Sequence, residues 1–158
     1  MTEAALQDSI PWSYCFGCGP ANHRGLQIKS HSHGDEYISV FQAQEHHAAG
    51  PKHFVNGGII ATVIDCHCVW TAIADCTHRE GRRLGEEPIG WHATGSLHID
   101  YLRPVPIGAE CQLVSRVTAV DGKQTAVSCT VFAAGKERAR AQVVAVRVPD
   151  SWVQPTTS

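Results

Sequence analysis

The stretch from Val55 to Cys76 constrains this chain more than any other. It is the longest apolar run, and its residues read as one helix entered through Asn56-Gly57-Gly58. A helix that is apolar on most faces has to be wrapped by other structure. One carboxylate, Asp65, lies inside it among Ile, Val and Ala. An unpaired carboxylate in such surroundings costs several kcal/mol or shifts its pKa. Asp65 is therefore either paired or used.

A chain of 158 residues suggests one domain and can bury a core without disulfides or metal. The formal net charge of −2 argues against nucleic acid or an anionic membrane as the main partner. The seven cysteines are an odd number, spread through apolar segments. Met1 to Ile10 has neither a basic start nor an apolar run, so no secretory signal is expected. Reduced thiols and a cytoplasmic location are the expectation. Asp65, His67 and Asp75 interrupt the long apolar segment, which favours a buried helix of a soluble protein over a membrane span.

Around this helix the chain reads as strands. Residues 1–13 lack periodicity and suggest a loosely held arm. Cys15 to Leu26 is dense in turn residues. Gln27 to Ser30 could begin a strand, His31 to Asp35 reads as a turn, and Tyr37 to Phe41 as a short strand. Gln42 to Phe54 is expected to be a loop, and Thr77 to Gly90 a solvated excursion. Four strands then follow, over 93–102, 110–120, 124–133 and 139–148, with Asp121-Gly122 a strong hairpin signal. The order is two strands, a buried helix, then four strands joined by short turns. This predicts an α+β domain over 14–149, one antiparallel sheet packed on one helix, with a polar tail at 150–158.

Several residues could carry chemistry. Asn56-Gly57-Gly58 opens the helix, where unpaired amides and the helix dipole could polarise a carbonyl. Glycine would let that carbonyl approach closely. A plain Asn cap followed by turn residues accounts for the same sequence. Asp65 suits a general base or nucleophile facing a cleft, or a carboxylate paired with a neighbouring loop or arginine. In Cys66-His67-Cys68, adjacent helix positions point about 100° apart, so the three cannot converge on one ion. Core cysteines and a hydrogen-bonded histidine fit better there. Cys15-x-x-Cys18 has metal or redox spacing but lacks a second CxxC, and His23 is the nearest further ligand type. A turn packed with small residues is the alternative. His46, His47 and His53 precede the helix, on a loop surface or facing the same cleft as Asp65.

The run Asn56-Gly57-Gly58-Ile59-Ile60-Ala61-Thr62-Val63-Ile64-Asp65 resembles the signature of the hotdog-fold acyl-CoA thioesterases of the phenylacetate-pathway (PaaI-like) type. There a His-Gly-Gly opens the central helix and an acid follows nine residues after the His. Tyr101-Leu102-Arg103-Pro104 resembles the family's Tyr-x-x-Pro. Cys15-Phe16-Gly17-Cys18-Gly19, Asn22 and Gly25-Leu26 are similar to the N-terminal segment of many members. The resemblance implies an antiparallel sheet wrapped around one long helix and a homodimer or homotetramer with sites at the subunit interface. It also implies carbonyl polarisation by Gly57 or Gly58, and an Asp65 base or nucleophile acting across that interface. Thr94 and Asn56 would orient water or substrate. Arg103 and Lys123 would meet coenzyme A phosphates, and His47 and His53 would line the substrate site. No cofactor or metal is required. One departure is that Asn56 stands where the family carries histidine. Asparagine can orient a partner but cannot carry positive charge or shuttle a proton.

The expected function is hydrolysis of an acyl-CoA thioester to acid and free coenzyme A. A non-catalytic module binding acyl-CoA or another small ligand on the same fold is the alternative. A hydratase on the same fold is a further alternative, one that usually pairs an Asp and a His near the helix start.

Overall fold

The computed structural model describes residues 3–153. Helix α1 (Gly57–Arg79) lies across one antiparallel sheet of six strands. The strands are β1 (Ser30–His33), β2 (Glu36–Gln42), β3 (His92–Tyr101), β4 (Glu110–Asp121), β5 (Gln124–Ala133) and β6 (Lys136–Arg147). Their order across the sheet is β1-β2-β4-β5-β6-β3. The α+β architecture expected from the sequence, a sheet wrapped around one long helix, is the one observed.

Period-2 alternation explains how the sheet receives the helix. Cys111 and Leu113 of β4 point inward with Val127, Cys129, Val131 and Ala133 of β5. In the β5–β6 ladder Val127, Cys129 and Val131 sit opposite Val143, Ala141 and Ala139. The small alanines of β6 are fully buried and let α1 lie close. Ile64, Cys68, Ala72 and Ile73 of α1 are inaccessible to solvent. By length and composition α1 could cross a membrane. Here it is the core helix.

Polar groups in this core are fully partnered. His67 Nε2 donates to the carbonyl of Tyr37 at 3.1 Å, and Ser30 Oγ donates to Nδ1 at 2.8 Å. Ser115 Oγ lies 3.0 Å from Nε2 and 2.7 Å from Thr71 Oγ1. Gln7 donates in turn to Ser30 Oγ. Burial drives the His67 pKa down to about 4, so the ring is neutral near physiological pH. The hydrogen-bonded histidine expected at this position is what the fold contains.

Several boundaries differ from the sequence reading, β6 for one beginning at Lys136 rather than at residue 139. Residues 5–10 are not a loose arm: Leu6, Gln7 and Ile10 are buried against β1 and α1, with a 3₁₀ turn over Leu6–Ser9. Too few residues repeat there to show a period, yet each inward side chain finds the core. Residues 1–2, and 154–158 of the expected tail, lie outside the described residues. The first strand is Ser30–His33, with Gly34-Asp35 as its turn. Gly34 has φ of +62°, which lets the hairpin close there rather than three residues earlier. Finally, α1 continues past Cys76 to Arg79, where Glu80 caps it and pairs with Arg82 and Arg147.

Candidate active site

Two features of α1 bound the site, its first turn and Asp65. At the first turn Asn56 is the N-cap, its Oδ1 accepting from Gly58 N at 2.8 Å and Ile59 N at 3.2 Å. The amide of Gly58 is therefore occupied. That of Gly57 has no acceptor among the described residues. The expectation that either glycine could polarise a carbonyl narrows to Gly57.

Tyr101, at the end of β3, donates from its hydroxyl to the Gly57 carbonyl at 2.8 Å. A Cβ placed on Gly57 would meet nothing nearer than the Tyr101 ring at 3.7 Å, an ordinary contact. Gly57 is the first helical residue, where alanine in place of glycine would stabilise by about 0.5 kcal/mol through the unfolded chain. Among the described residues nothing packs close enough to require a glycine here. An open cleft of about 300 Å³ lies at this helix mouth, lined by Val55, Gly57, Tyr101, Arg103, Pro104 and Arg138 among others.

Asp65 is eight residues further on, about 12 Å along the axis. Thr94 Oγ1 donates to its Oδ1 at 2.6 Å. Thr94 reaches it from β3, where the pairing with β6 shifts between Thr94 and Ser96. Such bulges re-aim side chains. Burial raises the Asp65 pKa, the Thr94 hydrogen bond opposes that shift, and a charge on Cys15 would add to it. Oδ2 of Asp65 has no partner among the described side chains, so it can take a proton from water. The cavity beside it, about 170 Å³, is lined by Cys15, Cys18, Asp65, Cys66, Val69, Trp70, Trp91, His92, Ala93 and Thr94.

The remaining sequence candidates are dispersed. Arg103 sits at the helix mouth, with Nη1 bonded to the Glu137 carbonyl at 2.9 Å. Lys123 is not brought there within one chain. It ends the β4–β5 hairpin, and its carbonyl accepts from Arg147 N near the far end of α1. His47 accepts from Gln44 N through Nδ1 and holds Asn56 N through its carbonyl. Its pKa is lowered, first by burial and then by neighbouring His46. With His23, Arg24, Gln42 and Gln44 it lines a separate cleft of about 470 Å³ that contains neither Asp65 nor the glycines. His53 is exposed against Phe54.

Sequence reasoning missed Arg138 and Cys66. Arg138 is a second guanidinium at the helix mouth, held by the carbonyls of Ala133 and Pro104. No local pattern marks it, since only strand pairing brings β6 beside residues 101–105. Cys66 turns toward the N-terminal loop. Its sulfur is 3.7 Å from Cys15 Sγ, and the sulfurs of Cys15, Cys18 and Cys66 all lie within 4.8 Å of one another. The Cys15 thiol is held well below its ordinary pKa by hydrogen bonds from Cys18 and Cys66, with backbone amides of Cys18 and Gly17 adding to them.

A buried helix wrapped by an antiparallel sheet, with a capped glycine mouth and a threonine-held acid, defines a hotdog-type domain. The family described as the thioesterase superfamily matches residues 52–139, more than half of the sequence. This chain belongs to the thioesterase superfamily. A thioesterase superfamily protein of Shewanella loihica PV-4 is 31% identical, with 90% of this chain and 99% of that one covered and a TM-score of 0.66. The E. coli PaaI protein from the phenylacetic acid degradation operon shares the fold at a TM-score of 0.63 and 14% identity, covering 78% of this chain and 81% of that one. Acyl-coenzyme A thioesterase THEM4 of Xenopus laevis is 26% identical over 125 residues, which cover 79% of this chain and 45% of the relative. The chain spans less than half the length of the curated relatives it matches.

Proposed function

We propose that this chain hydrolyses acyl-CoA thioesters, with Asp65 as general base. The observation that carries the reading is the Thr94–Asp65 hydrogen bond at 2.6 Å on a cavity wall. Thr94 fixes the carboxylate rotamer and leaves Oδ2 to take a proton from water. The resulting hydroxide adds to the thioester carbon, and the free amide of Gly57 stabilises the oxyanion. An aligned donor of this kind supplies about 3 kcal/mol. Collapse expels the coenzyme A thiolate, which recovers the proton from Asp65. Arg103 and Arg138 at the helix mouth suit the phosphates of coenzyme A. The names of the curated relatives support the substrate class.

Within one chain the Gly57 amide and Asp65 stand too far apart, about 12 Å, to serve one thioester. We therefore assign the two halves to different subunits of a homodimer. Edge strand β3 supports this. Leu97 is 38% exposed, Tyr101 55% and the adjoining Leu102 42%, an apolar run beside an unpaired strand edge.

The test is a panel of acyl-CoAs with release of free thiol measured by a chromogenic reagent. Hydrolysis of at least one member above the buffer rate is expected. If none is hydrolysed, yet CoA esters raise Tm, the chain is a binding module and the catalytic reading fails.

A further inference from the structure

Cys15-x-x-Cys18 offers two thiols from one turn, the spacing of half a thiolate metal site. The fold supplies a third from α1. A Cβ on Gly17 would lie 2.2 Å from Cys66 Sγ, so only glycine lets the loop press onto that sulfur. Cys15 and Cys18 consequently flank Cys66. The Cys15–Cys66 sulfur separation of 3.7 Å is far too long for a disulfide. It matches the edge of about 3.8 Å expected between two thiolates bound tetrahedrally to zinc at about 2.3 Å. Cys18 and Cys66 are buried, whereas Cys15 is exposed and opens onto the cavity of about 170 Å³, which gives an entry path.

We propose that Cys15, Cys18 and Cys66 bind one thiophilic d¹⁰ ion of the Zn²⁺ class. Binding exchanges three thiol protons, released to solvent, for three metal–sulfur bonds. The fourth position faces the cavity, where water completes the shell. The ion clamps the N-terminal loop onto α1 one residue from Asp65, and so fixes one wall of that cavity. Thiolate ligands select zinc or copper(I) over magnesium or calcium.

The experiment uses the full chain, reduced with a phosphine, stripped by chelator and dialysed against zinc sulfate. Elemental analysis is expected to give one zinc per chain, with a rise in Tm. Cobalt(II) loading is expected to give thiolate-to-metal charge-transfer absorption. Cys15→Ser and Cys66→Ser should each weaken binding by at least about tenfold, while Cys76→Ser should not. Cys15 is exposed, so its variant keeps the test valid even if Cys66→Ser misfolds. No zinc on the reduced protein, or equal zinc affinity in wild type and the Cys15→Ser variant by chelator competition, overturns the proposal. So does an air-oxidised chain lighter by two hydrogens whose reduced form holds no metal. None of these readouts depends on hydrolysis, so the metal site and the thioesterase reading fail separately.

Discussion

Thr94 Oγ1 donates to Asp65 Oδ1 at 2.6 Å, tying a bulge of the edge strand to the middle of the buried helix. The bond holds the carboxylate in one rotamer while burial works against its charge. Asp65→Asn keeps the shape, removes the base and relieves the desolvated charge. Hydrolysis should fall by about 10³-fold, with Tm equal to or above wild type. Thr94→Ser should retain most activity, since it keeps the hydroxyl, and Thr94→Ala should not. Full hydrolysis by a dimeric Asp65→Asn protein would remove the acid from the mechanism.

Gly57 separates stability from activity. Its Cβ position is open, with nothing nearer than 3.7 Å. Gly57→Ala should therefore stabilise by about 0.5 kcal/mol, through the lower entropy of the unfolded chain, and raise Tm. The new methyl occupies the approach to the free amide, so kcat/KM should drop together with the rise in Tm. A variant both more stable and equally active would show that no substrate meets this amide.

The cap at Asn56 carries a matching prediction. Its side chain holds two amides of the first turn. Asn56→Ala should cost about 1 kcal/mol in a denaturant titration, whereas Asn56→Asp, an equally good cap, should cost little. Equal losses from both would mean that the side chain contributes something other than the cap.

The sheet, the long helix and the Asp65 position were legible because each rests on local pattern. Period-2 strands, a glycine-opened apolar run and one acid within it need no tertiary information. The cap role of Asn56 was legible for the same reason. Arg138 and the third thiol were not, since strand pairing and loop packing across more than thirty residues create those contacts. The N-terminal segment was misjudged because Leu6, Gln7 and Ile10 bury singly rather than as a periodic face. The Gly58 amide was over-counted as a donor. Only the observed Asn56 bond shows that it is spent.

At the other end of α1, Glu80 is held down to about 2 by hydrogen bonds from Arg82 and then Arg147, near the solvent surface. Its folded pKa lies below the unfolded value of about 4.3. The group therefore contributes stability above that unfolded value, and loses it as pH falls toward 2. Wild type should exceed Glu80→Gln in Tm at pH 6, with the gap closing between about pH 4.3 and pH 2. A gap independent of pH would assign the difference to packing rather than to charge.

Complementation between subunits tests the division of the site. If Gly57 and Asp65 act from opposite chains, Asp65→Asn and Gly57→Val homodimers each lack every complete site. A heterodimer of the two has one site with both defects and one with neither. Unfolding and refolding an equimolar mixture should form heterodimers as half of all dimers, restoring about one quarter of wild-type activity by symmetry. Leu97→Asp on the exposed edge of β3 should block that recovery, with monomer seen by size-exclusion chromatography, because a buried unpaired charge opposes the interface. Activity that stays at the level of the separate variants after mixing would place both groups in one chain's site, which the 12 Å of helix between them (about eight residues of rise) opposes.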